Sequence, residues 1–194
     1  LPICLEGTNE SRAYAGVVSF HDHGERVWWT SDASSAYILN NEQVKQVYRT
    51  LLFAKPDVLV VIDQVRIRYL PQTVDARFFP DNADGQARLR IDGNRFLIER
   101  PGARLHGLVA SDTGAAPRKA RLEVPAEVGE FPCVEVHSPE ALTHHLITVL
   151  RAADPDAEAP VLEARHSGDG WFLQAGDFEA RVRLTTFQPQ VQIL

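Results

Sequence analysis

Methionine is absent from this 194-residue sequence, and cysteine occurs only twice, at Cys4 and Cys133. Two cysteines are too few for a disulfide framework, so they form either one bridge or two buried thiols, and we favour the thiols. No secretory signal peptide is recognisable behind Leu1. Because position 1 is not methionine, we interpret the sequence as a fragment or a processed chain.

Long apolar runs are also absent, and none approaches the roughly 18–20 residues that a membrane-spanning helix requires. The formal charge of −6 and the pI near 5.6 predict no general attraction to nucleic acid or to anionic membranes. Glycine-rich phosphate loops are missing, and Ser11, Ser19 and Cys133 have no base at a recognisable spacing. These absences exclude several classes of enzyme, but a local basic groove for an acidic substrate remains compatible with the sequence.

The segment from Val44 to Val65 contains two apolar runs separated by Lys55-Pro56-Asp57. Its β-branched residues and the central proline predict a β-hairpin rather than a helix. Residues 58–62 are apolar at every position, which is typical of a strand that is covered on both faces. Arg49 and Asp63 fall on paired arms of this hairpin, so we expect a salt bridge between them.

Short strand-like segments continue along the rest of the sequence, with no internal repeat and no convincing amphipathic helix. Asp92-Gly93-Asn94 between two such segments is a strong hairpin signal. The pattern predicts an all-β protein: an antiparallel multi-stranded β-sandwich of two packed sheets, with residues 1–194 as a single domain. The predicted strands outside the central hairpin are 14–20, 27–30, 73–79, 87–91, 95–98, 104–109, 121–124, 133–136, 144–150, 161–165, 171–175, 178–187 and 191–194.

Two histidines in one candidate strand raise the question of a metal site. Strand alternation would place His21 and His23 on the same face, a spacing that suits a divalent metal, with Glu25 as a third ligand if the strand continued. Gly24 is expected to break the strand, and no fourth ligand is identifiable. We therefore prefer a solvated loop, and a small cupin-like metal enzyme is the weaker alternative.

Aromatic and basic residues provide the candidate sugar contacts. Trp28 and Trp29 point to opposite faces of a strand. We favour core packing for both, and the alternative is that one fills the core while the other offers a platform for sugar stacking. Arg66 and Arg68 alternate to one face; we favour a solvated strand face, and contact with a carboxylate or a sulfate group is the alternative. The adjacent His144 and His145 cannot readily share a metal, and one of them is expected to be a hydrogen-bonded core histidine.

Several motifs occur here in a familiar order. The sequence has GERVWWTSD followed by the pair Ala36-Tyr37, then the central hairpin with Arg49 and Asp63, then DARFFP and LTHHLITVL. This order resembles the C-terminal β-domain of the heparinase II/III-like polysaccharide lyases. The resemblance covers about residues 12–150, and the hairpin is its most distinctive part.

The resemblance implies a β-sandwich module that follows an α/α toroid domain of the same protein. Such lyases cleave uronate-containing polysaccharides by β-elimination, in which a base removes the proton α to the carboxyl group and an acid protonates the leaving oxygen. None of the family's acid–base residues can be placed on this sequence. The resemblance therefore implies no evident cofactor here, and a divalent metal such as zinc only in the full-length protein.

Further expectations also rest on the resemblance. It implies an acidic polysaccharide as partner and a periplasmic or secreted location. We expect an isolated sandwich to expose an apolar face and to associate as a homo-oligomer. The alternative from another class is a stand-alone carbohydrate-binding or structural β-domain without catalysis.

Overall fold

The computed structural model describes residues 14–39, 41–122, 131–168, 170–185 and 189–193. Within them it has fifteen β-strands and one short helix, α1 (Ser34–Ile38). The all-β prediction is confirmed, although α1 occupies a segment between two predicted strands. Parts of the earlier predictions lie outside the described residues, namely Cys4, Ser11, Val124, Phe187 and Leu194.

The strands form three antiparallel sheets. The central sheet has eight strands in the order β1-β2-β3-β4-β11-β8-β7-β6, a three-stranded sheet has the order β5-β10-β9, and a four-stranded sheet has the order β12-β13-β14-β15. The bounds are β1 (Gly16–Asp22), β2 (Arg26–Asp32), β3 (Val44–Ala54), β4 (Val58–Ile67), β5 (Gln72–Phe78), β6 (Arg88–Asp92), β7 (Arg95–Arg100), β8 (Ala103–Ser111), β9 (Ala116–Leu122), β10 (Phe131–Ala141), β11 (Thr143–Ala153), β12 (Leu162–Ser167), β13 (Gly170–Ala175), β14 (Phe178–Leu184) and β15 (Pro189–Ile193).

The predicted hairpin is the middle of the molecule. Strands β3 and β4 pair in register: Ala54 is opposite Val58 at the turn, and Arg49 is opposite Asp63 further along the strands. Strand β11 continues the sheet on the far side of β4. Arg49 Nε lies 2.6 Å from Asp63 Oδ1, and Arg49 Nη2 lies 2.9 Å from Asp63 Oδ2, which confirms the predicted salt bridge.

Both faces of this hairpin are covered, each by a different sheet. The sandwich therefore has three layers instead of the two that were predicted. On one face Val60 and Ile62 pack against the four-stranded sheet, in a core cluster that includes Leu173. On the other face Val61 packs against the three-stranded sheet, in a second cluster that includes Val136. Each such buried side chain contributes about 1.5–3 kcal/mol through removal of apolar surface from water.

Some polar residues are also buried in these layers. His144 is fully buried; its Nδ1 lies 2.8 Å from Ser138 Oγ, and its Nε2 lies 3.1 Å from the Ala141 carbonyl oxygen. Burial lowers the pKa of His144 and outweighs the hydrogen bonds that favour its charged form. The prediction that one member of this histidine pair is a core residue is confirmed. Cys133 is a buried free thiol, and burial raises its pKa.

Candidate functional site

A row of polar side chains crosses the central sheet just beyond the end of its apolar core. Asp32, Tyr48, Gln64 and His145 are successive register partners on β2, β3, β4 and β11. The Asp112 carboxylate continues the row, because it accepts hydrogen bonds from the His145 backbone N–H at 3.2 Å and from the imidazole, with 2.5 Å between Oδ2 and Nδ1. Residues that are directly opposite in a sheet share one face, so these five residues form what we call the polar row.

A second set of polar residues lies one step further along the same strands. Gln46, Arg66 and Thr143 are register partners on β3, β4 and β11. Because they are two positions from the polar row on each strand, they are on the same face, the one that faces the four-stranded sheet. Leu184 and Thr185 at the end of β14 form the opposite wall. These residues, with Gln64 and His145, enclose a cleft of about 230 Å³, here called the Arg66 cleft.

The electrostatics of the Arg66 cleft favour an anion. Among the described residues Arg66 has no carboxylate within ion-pair distance. Asp112, one of the two acids of the polar row, is already engaged with His145. Burial opposes ionisation of Asp112, but its hydrogen bonds with His145 and the charge of that ring together lower its carboxyl pKa. The carboxylate therefore fixes the ring at Nδ1 and leaves Nε2 available to a ligand.

Gln64 contributes a buried acceptor beside the cleft. Its side-chain Nε2 donates to the Thr185 carbonyl oxygen at 2.9 Å, while Oε1 is buried and has no partner in the described part of the chain. The residue is 3% exposed. A buried acceptor without a donor costs about 1–3 kcal/mol, so the site gains stability when a hydroxyl group or a water molecule reaches it.

Tyr48 completes the polar row on the side of β2. Burial raises the pKa of its phenol, and the charge and hydrogen bond of Asp32 raise it further. The phenol is therefore neutral at physiological pH and donates to the Asp32 carboxylate. The row thus presents a neutral phenol and a fixed imidazole on either side of Gln64.

A slightly larger cleft, of about 250 Å³, opens between the central sheet and β5. Its walls carry Tyr37, Arg49, Asp63 and Asp75 over an apolar floor. Arg49 is bound through two hydrogen bonds to Asp63, and Asp75 adds a further negative charge. This cleft is therefore less suited to an acidic ligand than the Arg66 cleft.

The residues selected from the sequence do not come together in one site. Trp28 packs against the core cluster beneath the four-stranded sheet, whereas Trp29 pairs with Phe20 and Leu51 on the opposite face. Arg66 shares the face of Trp28. However, Trp28 aligns through β3 with Val60, six residues from Arg66 along β4, or roughly 20 Å. Arg68 follows β4 and is exposed. The role of these four residues as sugar contacts stays a prediction.

The two histidines of the metal hypothesis stack on a tryptophan. The imidazoles of His21 and His23 each lie 5.0 Å from the Trp28 indole, with interplanar angles of 21° and 10°. Within the described ranges, no group of three or more His, Cys, Asp or Glu residues is arranged to hold a metal ion. The ligand role of His21 and His23 therefore stays a prediction.

Sequence reasoning identified Arg66 but missed most of its surroundings. His145 was considered only together with His144, and Tyr48, Gln64 and Asp112 were not selected. The signal that could have found His145 is its position beside a core histidine, because alternation then places it on the opposite face of β11.

Comparison with known structures finds a similar fold in heparinase III and in heparan sulfate lyase. The chain is similar to a heparinase III described as the BT4657 gene product, with a TM-score of 0.64 and 13% identity over 93% of this chain and 28% of that one. It is similar to the heparan sulfate lyase HepC of Pedobacter heparinus, with a TM-score of 0.65, 13% identity and coverage of 93% and 28%. A further heparinase III structure has a TM-score of 0.63 and 10% identity, with coverage of 96% and 28%.

These matches show that the chain shares a fold with part of the heparinase III and heparan sulfate lyase structures, and they confirm the predicted heparinase-like resemblance at the level of the fold. The chain spans less than a third of the length of these proteins. No family model and no curated protein matches the sequence. No helix in the described ranges is long and apolar enough to cross a membrane.

Proposed function

We propose that this chain is the β-sandwich module of a polysaccharide lyase that acts on uronate-containing polysaccharide by β-elimination. The observation that carries the proposal is the fold shared with heparinase III and heparan sulfate lyase over more than nine-tenths of the chain. The Arg66 cleft supports it, since an arginine with no acidic partner in the described part of the chain is suited to a uronate carboxylate or a sulfate.

The chemistry divides between binding and proton transfer. The guanidinium of Arg66 can donate two parallel hydrogen bonds to a carboxylate, which fixes the sugar and neutralises its charge. In β-elimination the C–H bond next to the carboxyl group breaks, a C=C bond forms and the glycosidic C–O bond breaks. We propose that most of the catalytic acid and base groups for these steps come from the rest of the full-length protein. This module then orients the polymer.

The reaction class is tested on the full-length protein. We expect it to release products with an unsaturated uronate from an acidic polysaccharide such as heparan sulfate, seen as rising ultraviolet absorbance and confirmed by mass spectrometry. A neutral glucan is the matched control substrate. Binding without any unsaturated product would contradict the lyase reading and favour the alternative, a stand-alone carbohydrate-binding or structural domain.

Substitution of Arg66 tests the cleft. We expect Arg66→Ala in the full-length protein to weaken binding of a heparan sulfate oligosaccharide by roughly 10- to 100-fold, because a hydrogen bond to a charged group contributes about 1.5–3 kcal/mol. Lys45→Ala is the matched control, since it removes one positive charge from an exposed position on β3. Isothermal titration calorimetry measures both variants. Equal affinities would remove Arg66 from the binding site.

The remaining expectations are proposals that follow from the same reading. Arg68 extends the basic surface beyond Arg66. The edge strand β1 exposes Val17, Val18 and Phe20, which supports an upstream toroid domain or a second copy of the chain as its cover. We propose that the protein acts in the periplasm or outside the cell, because its proposed substrates are large polymers. A divalent metal such as zinc would be held elsewhere in the full-length protein.

A further inference from the structure

The outer face of the four-stranded sheet carries a cationic and aromatic row. Arg165 on β12 is the register partner of Phe172 on β13, and Phe172 is the partner of Arg181 on β14. Their neighbours along each strand, such as Leu173 and Ala180, point inward and are fully buried in the core cluster. Because strand residues alternate between faces, the three side chains are on the opposite, outer face. We call them the Arg-Phe-Arg row.

The geometry of this row presents an aromatic ring beside positive charge. The Arg165 guanidinium carbon lies 5.2 Å from the centroid of the Phe172 ring. The Arg165 side chain is 66% exposed, and its Nε lies 3.2 Å from Glu163 Oε2. A shallow depression of about 460 Å³ is lined by this row with His166 and Ser167. The ring orients the guanidinium and leaves much of it facing water.

We propose that the Arg-Phe-Arg row binds an acidic sugar unit of a polysaccharide, separately from the Arg66 cleft. A guanidinium matches the planar carboxylate of a uronate or the oxygens of a sulfate ester with paired hydrogen bonds. The apolar C–H face of the sugar ring can cover the part of Phe172 that the arginine leaves open. The substrate class extends the proposed function, but the row binds through its own residues.

Charge on the same face favours an acidic sugar over a nucleic acid. The next outward row consists of Glu163, Gln174 and Glu179, which are also register partners, and it places two carboxylates beside the cations. Single-stranded nucleic acid is bound by a continuous basic groove with successive stacking rings. Here a single ring, that of Phe172, is bordered by acids on a chain with a net charge of −6. This arrangement suits a polymer whose negative charges are spaced apart.

The location of the row gives it a role in holding a long polymer. Arg181 and Thr185 are four residues apart at the end of β14, or about 13 Å along an extended strand. Thr185 lines the Arg66 cleft, whereas Arg181 lines the outer depression. Two contacts on one polymer raise the overall affinity, because binding at the first site concentrates the polymer at the second.

The test measures binding of a long heparan sulfate oligosaccharide to the full-length protein by calorimetry. We expect Phe172→Ala and Arg165→Ala each to weaken binding about tenfold, from the loss of stacking or of a charged contact. Arg165→Lys is expected to fall between Arg165→Ala and the natural protein, because it keeps the charge but loses the planar fork. Gln174→Ala, on the outer face of the same strand, is the matched control and is expected to leave affinity unchanged.

Thermal unfolding separates a binding role from a structural one. A row that only stabilises the sheet would lower the midpoint of unfolding in the variants while the affinity of the folded protein stays unchanged, and this outcome would overturn the proposal. Binding of oligo-dT with the same dependence on Phe172 and Arg165 would also overturn it, in favour of nucleic acid. If the natural protein releases no unsaturated uronate but binding still depends on the row, the lyase proposal fails and the row stands.

Discussion

Replacing Gly107 by alanine is expected to destabilise the protein by about 3 kcal/mol, near the upper end of the usual cost of overpacking. Gly107 on β8 is the register partner of Phe96 on β7, and the aromatic ring lies directly on the glycine. A Cβ atom at position 107 would be 2.2 Å from Phe96 Cζ. The ring is 3% exposed and packs 5.9 Å from Phe78, so it cannot move aside without disturbing the second core cluster.

Urea denaturation measures this effect, and a second substitution tests its cause. Phe96→Leu alone is expected to destabilise the protein, but in the Gly107→Ala background it should recover part of the loss, because a smaller side chain makes room for the methyl group. Gly102→Ala is the matched control, since a Cβ there meets nothing within 4 Å. Similar unfolding free energies for Gly107→Ala and Gly102→Ala would show that the ring yields easily.

The local elements of this fold could be predicted because their signals are short-range. The hairpin of β3 and β4 has its turn residues between two apolar runs, and the apolar character of both faces of β4 indicates cover on both sides. The salt bridge of Arg49 and Asp63 follows from the same register. These features depend on residues that are close along the chain, so alternation and turn chemistry are sufficient.

The division into three sheets could not be predicted, because it depends on pairings between distant strands. Strand β11 pairs with β4 and β8, whereas β10, which directly precedes it, pairs with β5 and β9 in another layer. Both strands are rich in β-branched and apolar residues, so composition alone does not assign either to a layer. The choice is made by packing between layers, which a single sequence does not display.

The polar row shows the same limit for the candidate site. Asp32, Tyr48, Gln64, Asp112 and His145 belong to separate strands and loops, and each one resembles an ordinary surface residue when it is considered alone. Only the register of the central sheet places them side by side. Trp28 illustrates the same limit, because alternation indicates that one of the two adjacent tryptophans can fill the core but not which one, and the structure packs Trp28 against the core cluster.

Removing both arginines that hold Glu135 is expected to cost about 3–5 kcal/mol of stability at neutral pH, because a buried carboxylate would be left without a partner. The Glu135 side chain on β10 is only 4% exposed. Arg77 on β5 donates from Nε to Oε2 at 2.6 Å, and Arg118 on β9 donates from Nε to Oε1 at 2.7 Å. The three residues therefore tie together all three strands of their sheet.

The pH dependence gives this prediction a sign. Burial opposes ionisation of Glu135, but the two arginines lower its carboxyl pKa below the ordinary value. A lowered pKa contributes stability above the unfolded value near 4.3, and this contribution is lost as the pH falls through the folded value. In the variant Arg77→Ala/Arg118→Ala only burial remains, so the pKa should rise and stability should increase as the pH falls from 7 toward 5.

Urea denaturation between pH 4 and pH 7 distinguishes these slopes. Adding Glu135→Gln to the double variant should recover much of the lost stability at pH 7, because it removes the buried charge and keeps the shape. Arg90→Ala, whose side chain is 73% exposed in its pair with Glu99, should change stability by less than about 1 kcal/mol. A double variant that loses no more than Arg90→Ala would show that water reaches Glu135 once the arginines are gone. In that case the two arginines would be what keeps the carboxylate buried. Strands β5, β9 and β10 would then be held together by their backbone pairing alone.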